Sequence, residues 1–597
     1  MGVVMKNRNK LKEKWLGLTD TVTRFPLTFL LLLTAVITNA LALETQDNLI
    51  YMNLLITFLL GAAIFVVLQL LYERFLEYPV FRIMFMIITV AASIVYYLFI
   101  HEKDWSIEIS IKTIVIFFLL FILFLWIPVI KSRYNMNESF MAVFKSFFTA
   151  IFFNGILYLG VVLVIGATNL LIVKVDSQAY IHAASIIFLF IAPTYFLTML
   201  PVFPGKIELR EAAEEKELQE IRQKLITPSR FLEALISYVM IPITVVFTII
   251  LLLYIIMNIT GKFWTDNLME PLLVSYSITV IVIYLLASAI HNPFTVYFRR
   301  IFPKILIPIV LFQTISSLLK ISEVGITYGR YYVIMFGIFA TIAGLLFCFV
   351  PIQRNGIIAP VLIVLTIISI LPPLDAFTLS VKTQITRLER VLLQNNMLSN
   401  DTVAAGTNVS GEDQATIISA VNYLERMGKI KDIPYLSSYY ATMDFDRIFG
   451  FSRYAGEGKA YQSYYYSRDY SDPIPIAGYD YMIQTNIHNQ SQNSVLGSFT
   501  AGGESYQLLL KQTDENNIIL VLADEQEQEI IRYEYNQLFS DVLRYNSNRD
   551  MRSTEEMTFT TENEKAVMTV IANSVSYNEW QEGSEKASEL LLLINIK

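Results

Sequence analysis

Eleven long apolar runs dominate the first part of the chain: 25–43, 50–71, 83–100, 109–130, 147–169, 180–203, 231–257, 271–290, 305–319, 331–351 and 357–374. A helix needs ~20 apolar residues to cross a hydrocarbon core of ~30 Å, so each run is expected to form a membrane span. The ninth is short, about 15 residues between Lys304 and Lys320, with Pro308 near its start. Beyond 374 the pattern changes. Segments 380–398 and 412–427 place apolar residues at helical spacing: Val381, Ile385, Leu388, Val391 and Leu392 in the first, Ile417, Ile418, Val421 and Leu424 in the second. Between them NDTVAAGTNVSG reads as a loop. From 490 onward the period becomes two. SYQLLLK, IILVLAD, EIIRYEY, EMTFTTE, KAVMTVIANSVSYN and SELLLLINI read as strands, with Asn536 capping a short helix 537–545.

The expected fold is therefore an α-helical polytopic membrane protein of about 11 transmembrane helices, followed by a C-terminal extracytoplasmic α+β domain made of a helical collar and an antiparallel sheet. The expected boundaries are a basic N-terminus 1–24, a helical bundle 25–374, a collar 375–434 and a Tyr-rich and β domain 435–597. Composition agrees. Of 597 residues 54% are hydrophobic and 16% charged, against roughly 25% charged in soluble proteins. One cysteine leaves no internal disulfide.

Charge adds direction. Residues 1–373 carry 27 Lys+Arg and 21 Asp+Glu, whereas 374–597 carry 18 and 31, a net of −13. Such an acidic tail argues against nucleic acid as a partner, because phosphate binding requires a cationic surface. Alternate loops, beginning with 1–24, together hold 21 Lys+Arg, and the opposite set holds 6. Cationic loops stay on the cytoplasmic side. A plasma-membrane protein with a cytoplasmic N-terminus follows, and an odd number of spans puts the tail outside. Ala40-Leu41-Ala42 resembles a signal-peptidase site, but the long apolar run favours a retained first span.

Polar groups at membrane depth are few. Arg82, Glu233 and His182 lie near span ends, and Asn154, Gln69 and Gln313 lie deeper. Single amides usually join helices, and no mid-span carboxylate offers a proton relay. One segment stands apart: KISEVGITYGRYYV, 320–333, after the short ninth span. Interrupted spans point to binding sites in transporters. Lys320, Glu323, Thr327, Arg330 and Tyr331 are thus a candidate outer-face ligand site, with Arg330 clamping an anionic or zwitterionic headgroup and Glu323 holding it. The competing reading is a polar turn with an aromatic belt and a local ion pair.

The segments ITYGRYY (326–332), FRRIFPKILIPIVLFQTI (298–315) and RFPLTFLLLL (24–33) resemble those of a widespread bacterial family of polytopic membrane proteins. That family is catalogued as a domain of unknown function and is sometimes labelled permease. The resemblance continues through AFTLSVKTQITRLERVLLQNNML (376–398) and GYDYMI (478–483). It departs at Lys320, where the family has Arg, and at Val324, where it has an aromatic. The resemblance implies an integral membrane protein with an extracytoplasmic C-terminal part, and it brings no catalytic residue.

Catalytic signatures are missing: no GxxxxGK[ST], HExxH or CxxC occurs, so no nucleotide, metal or other cofactor is expected. Ser317-Leu-Leu-Lys320 matches Ser-x-x-Lys without the companion motifs of the penicillin-recognising enzymes. The reading leans away from an enzyme. Loop 204–230 has balanced charge and an apolar stripe at Leu218, Ile221 and Leu225, which suits a docking helix or a solvated extension of a span. Tyrosines crowd 435–482, which fits either ligand contact or half-buried strands. The function expected is transport or lipid handling of a ligand at the outer face. The expected partners are the lipid bilayer and a lipid or small molecule there, and the sequence leaves protein partners open. The alternative is a sensor or scaffold whose tail binds a ligand and whose loop 204–230 relays it.

Overall fold

A computed structural model describes residues 21–597 apart from 46–47, 77, 102–104, 133, 201–222, 224–226, 259–268, 400–401, 407, 438–444, 452, 454–462, 489–493, 515–516, 545–550 and 581–582. Among the described residues eleven helices are long and apolar enough to span a membrane. They are α1 Pro26–Glu44, α2 Asn48–Phe75, α3 Pro79–Ile100, α4 Ile107–Trp126, α5 Met136–Leu171, α6 Gln178–Thr198, α7 Arg230–Met257, α8 Met269–Ala287, α9 Pro293–Val324, α10 Tyr328–Phe349 and α11 Ile352–Ile370. The protein is a multi-pass membrane protein. Most of loop 204–230, including Leu218, Ile221 and Leu225, lies outside the described residues.

Helix ends explain where the apolar runs understate the helices. Helix α5 begins well before its apolar run because Asn135 and Glu138 form a capping box, each side chain bonded to the other's backbone N–H. The short ninth span is corrected more strongly: α9 has 32 residues. It starts at Pro293, capped by Asn292, and carries Arg299 and Lys304 as part of the helix. Arg299 is tolerated there because its Nη1 donates to the Ala287 and Ser288 carbonyls at 3.0 and 2.9 Å, next to the end of α8. Prolines 303 and 308 lie inside α9 without ending it.

Two prolines elsewhere leave another mark. Helix α6 widens into a π-helical turn over Ile186–Ile191 just before Ala192-Pro193, and α7 does the same over Leu235–Met240 before Ile241-Pro242. A proline ring clashes with the carbonyl four residues back, and a wider turn relieves that clash.

The bundle has two apolar cores. One joins α7, α8, α9 and α10, with Tyr276, Ile283, Leu306 and Ala340 fully buried. The other joins α1, α2, α4, α5 and α6 around Phe25, Leu70, Phe124 and Leu197. Helix α8 is the central element: more than half of its residues are buried, whereas most of the apolar stretch of α5 is not. At one end of the second core Arg24 binds three elements together. Its Nε and Nη2 donate to Glu73 at 2.8 and 2.7 Å, and its Nη1 to the Leu200 carbonyl at 3.1 Å.

After α11, helix α12 spans Ala376–Gln394 and α13 Gly411–Arg426. The first helix stops short of the expected 398. Asn396 takes the left-handed conformation (φ 55°), and Met397 N and Asn396 N donate to the Leu392 and Leu393 carbonyls. Gly428 (φ 66°) closes α13 with the same 6→1 and 5→2 pattern. The two helices run antiparallel. Tyr423 Oη donates to Ser380 Oγ at 2.8 Å, and Asn395 Nδ2 to Asp413 Oδ2 at 3.1 Å. The intervening loop folds a two-residue hairpin, Leu398–Ser399 (β1) with Thr402–Val403 (β2).

The remaining chain forms two sheets. Strands β5 Ser494–Ala501, β6 Glu504–Asp514, β7 Asn517–Asp524 and β8 Glu529–Glu534 make an antiparallel meander. The other sheet orders β4 Tyr481–His488, β12 Gly583–Ile596, β11 Ala566–Trp580, β3 Ser463–Arg468 and β9 Met551–Arg552, with β10 Thr558–Glu562 also paired to β11. It is mixed rather than purely antiparallel, since β3 and β9 pair in parallel. Leu508, Leu510, Leu520 and Leu522 share a core with Val570, Leu590, Leu592 and the helix α14 Tyr535–Arg544. Ile519, Val521 and Ala523 on the other face of β7 are buried as well, which explains its continuous apolar run. Asn536 lies inside α14 instead of capping it. Tyr535 is anchored by Ser588 Oγ at 2.9 Å, and burial pushes its phenol up to about 12. Of the crowded tyrosines, Tyr435 is buried, Tyr479 and Tyr481 bond Thr569 and Thr500, and Tyr465 and Tyr470 are exposed.

Candidate functional site

The structure scatters the roles of the five outer-turn residues. Thr327 is the N-cap of α10 and accepts from Arg330 N at 3.4 Å. Tyr331 donates its hydroxyl to the Leu374 carbonyl at 2.6 Å. Lys320, one turn before the end of α9, is 4% exposed, and Arg330 is 9% exposed. The Glu323 side chain lies outside the described residues.

Residues distant in sequence hold this turn. Gln384 Nε2 on α12 donates to the Val324 and Ile326 carbonyls at 3.0 and 3.1 Å, and Arg387 Nη1 to Val324 at 2.9 Å. Gly325 adopts φ 76°, and a Cβ there would meet Gln384 Nε2 at 2.7 Å, so only glycine fits. Tyr423 Oη accepts from Tyr328 N at 3.0 Å, and Tyr328 stacks on Phe377. Asp375 is fully buried beside Lys112 (3.3 Å) and accepts from the Phe377 and Thr378 amides. Burial pushes its carboxyl up, but the hydrogen bonds from Thr378 and the charge of Lys112 outweigh this and hold it below the usual carboxylate range.

A different feature dominates the second core. A cavity of about 870 Å³ opens among α1, α2, α4, α5 and α6, with Val282 of α8 on one wall. That size lies in the ~300–1,000 Å³ range of ligand pockets. Its floor is buried: Thr28, Leu32, Ala62 and Ala150 are 2 to 5% exposed. Its rim is not. Phe121, Phe147, Phe148 and Phe188 are 41 to 53% exposed, so the cavity opens sideways between α4, α5 and α6. The π-helical turn of α6 carries Phe188, and π turns recur at functional sites.

Among the described residues no charged one lines this cavity, and the Thr28 hydroxyl already donates to the Ala62 carbonyl at 3.2 Å. An ion or a polar headgroup would find no partner there, whereas a hydrocarbon chain would exchange lipid contacts for aromatic ones. Among the described residues no cluster of three or more His, Cys, Asp or Glu could hold a metal. Sequence reasoning missed the cavity. Its available signals were the paired phenylalanines 147–148 and the small residues Ala62, Ala63 and Ala150 on opposed helices.

No curated protein and no solved structure matches the chain. A family model described as "Domain of unknown function (DUF4153)" matches residues 27–409, which hold the eleven spans apart from Pro26 and the turn residues above apart from Tyr423. The cavity and the braced turn both lie inside the matched region, and the chain belongs to that family.

Proposed function

We propose that the protein handles a membrane lipid by taking its hydrocarbon tail into the cavity between α1, α2, α4, α5 and α6. The observation that carries this reading is an apolar volume of about 870 Å³ with a lateral aromatic rim. The cavity lies toward the first half of α1 and α5 and the second half of α2, α4 and α6, the end bearing Arg24 and Arg82. The excess of Lys+Arg in the loops at that end supports placing it in the cytoplasmic leaflet. The outer turn 320–332 is read as a braced polar turn, because Thr327 and Tyr331 are engaged by the α10 cap and by Leu374.

Filling the cavity tests the lipid reading. Ala62→Phe and Ala150→Phe are expected to weaken retention of a tail roughly tenfold each, about 1.4 kcal/mol. Native mass spectrometry of protein purified in detergent, after incubation with a phospholipid carrying a photoactivatable acyl chain, measures it. Equal crosslinking of wild type and both variants would remove the cavity as the tail site.

The tail 375–597 is read as extracytoplasmic. With Cys348 replaced by Ser, a cysteine at the exposed position Tyr470 is expected to react with an impermeant thiol reagent on intact cells. Reaction only after lysis would invert the topology.

A further inference from the structure

Helix α9 turns its polar residues inward. Gln313, Ser317 and Lys320 share one face at i, i+4 and i+7, and they are 1, 1 and 4% exposed. The opposite face, Leu311, Ile315, Leu318 and Leu319, is 43 to 52% exposed. Opposite this polar face, α8 contributes Glu270, whose carboxylate accepts from the Ser317 hydroxyl. Seven residues along the same face of α8 lies Ser277, fully buried. The polar line descends from the braced turn toward mid-membrane: seven helical residues at ~1.5 Å each place Gln313 roughly 10 Å below Lys320.

Gln313 is the end of that line, and its side chain differs from every other member. Neither Nε2 nor Oε1 has a hydrogen-bond partner, although the residue is almost fully enclosed. Asn154, another deep amide, at least returns a hydrogen bond to the Ala150 carbonyl of its own helix. An amide carries both donors and an acceptor, and leaving both unmet in a low-dielectric interior is unfavourable unless something meets them in another state.

We infer that Gln313 is the floor of an occluded polar inlet that opens at the α9–α10 end of the bundle, and that it receives a small uncharged solute with both a donor and an acceptor, water being the smallest. The Ser317–Glu270 hydrogen bond lies above Gln313 and closes the inlet in this conformation. Separating α9 from α8 at that point exposes Ser317 and then Gln313. The solute's donor faces Oε1 and its acceptor faces Nε2, so the amide is satisfied only when the inlet is occupied. This site is separate from the lipid cavity: Val282 of α8 faces the cavity, while Glu270 of the same helix faces the inlet.

Cysteine accessibility tests the inlet without depending on lipid binding. In full-length protein with Cys348→Ser, reconstituted in vesicles, Gln313→Cys is expected to react with an uncharged, hydroxylated, membrane-impermeant methanethiosulfonate added from the α9–α10 side. Gly329→Cys, on the exposed first turn of α10, is the positive control, and Leu311→Cys, facing lipid at 43% exposure, the negative one. Adding Glu270→Ala removes the closing contact and is expected to speed the Gln313→Cys reaction roughly tenfold, as for loss of one charge-assisted hydrogen bond. Gly329→Cys reacting while Gln313→Cys stays inert with and without Glu270→Ala would overturn the inlet. So would reaction of Gln313→Cys from the opposite side only, or a Leu311→Cys rate equal to it.

Discussion

Replacing Asp375 by alanine is expected to destabilise the purified protein by about 3 kcal/mol. The carboxylate has two tasks. It caps α12 through the Phe377 and Thr378 amides at 3.1 and 3.2 Å, and loss of such a cap typically costs ~1 kcal/mol. It also pairs with Lys112 while fully buried, and removing one partner of a buried pair costs about 3–5 kcal/mol. The estimate is set at the low end because Lys112 keeps Glu108 at 2.7 Å and the Phe377 ring at 5.7 Å. Asp375→Asn separates the tasks, since an asparagine oxygen still caps the helix but carries no charge. Thermal unfolding in detergent should rank wild type above Asp375→Asn and Asp375→Ala lowest; an Asn variant as stable as wild type would show that the ion pair contributes nothing.

The same residue predicts a pH dependence. Its folded pKa lies below the unfolded value of about 3.9. The stability it contributes is therefore complete above that value and is lost as pH falls through the lower, folded one. The melting-temperature gap between wild type and Asp375→Asn should stay constant down to about pH 5 and close below about pH 4. A gap that widened on acidification would contradict the sign of the shift.

Gly337→Leu is expected to cost at least about 3 kcal/mol, or to prevent accumulation of folded protein. Helices α9 and α10 approach closely, and a Cβ at Gly337 would run into the Thr314 hydroxyl and lie 3.3 Å from its Cβ. Ala340 and Ala343 line the same seam at 0 and 1% exposure, and a Cβ at Gly344 would meet Ile307 Cγ1 at 2.9 Å. Small residues let membrane helices pack on one another where the hydrophobic effect offers little drive. Gly329 is the control. It sits in the first turn of the same helix with nothing within 4 Å of a Cβ, so Gly329→Ala should be neutral or stabilising by up to ~1 kcal/mol. Protease resistance and thermal unfolding of the two variants side by side decide it; a tolerated Gly337→Leu would mean the seam is looser than its contacts.

Much of the architecture was legible because it follows from local chemistry. Apolar runs long enough to cross a bilayer marked all eleven spans, since a lipid environment tolerates no unpaired backbone and therefore requires helices. Period two marked β6, β7, β8, β10, β11 and β12, and Gly428 marked the end of α13. The errors have a common origin. Helix α9 looked short because Arg299 and Lys304 read as loop, whereas the α8 carbonyls accept Arg299 within the fold. Asn396 ended α12 early through a left-handed backbone that asparagine adopts more readily than most residues other than glycine. The Asn536 cap failed because the helix begins at Tyr535, two residues before the expected 537, where Tyr535 is anchored by Ser588 from another strand.

The candidate site divides along the same line. Composition and periodicity determined by themselves that this is a multi-pass membrane protein with a folded acidic tail, because those properties depend on residues within a few turns of one another. Which residues face one another depends on contacts between helices far apart in the chain. Gln384 under the 324–326 carbonyls, Lys112 beside Asp375 and Ser317 beside Glu270 join residues with no shared local pattern. The cavity, with Thr28, Ala62, Ala150 and Phe188 drawn from four helices, is likewise a volume left by packing. A void is a property of how side chains fail to meet, and only the tertiary structure decides that.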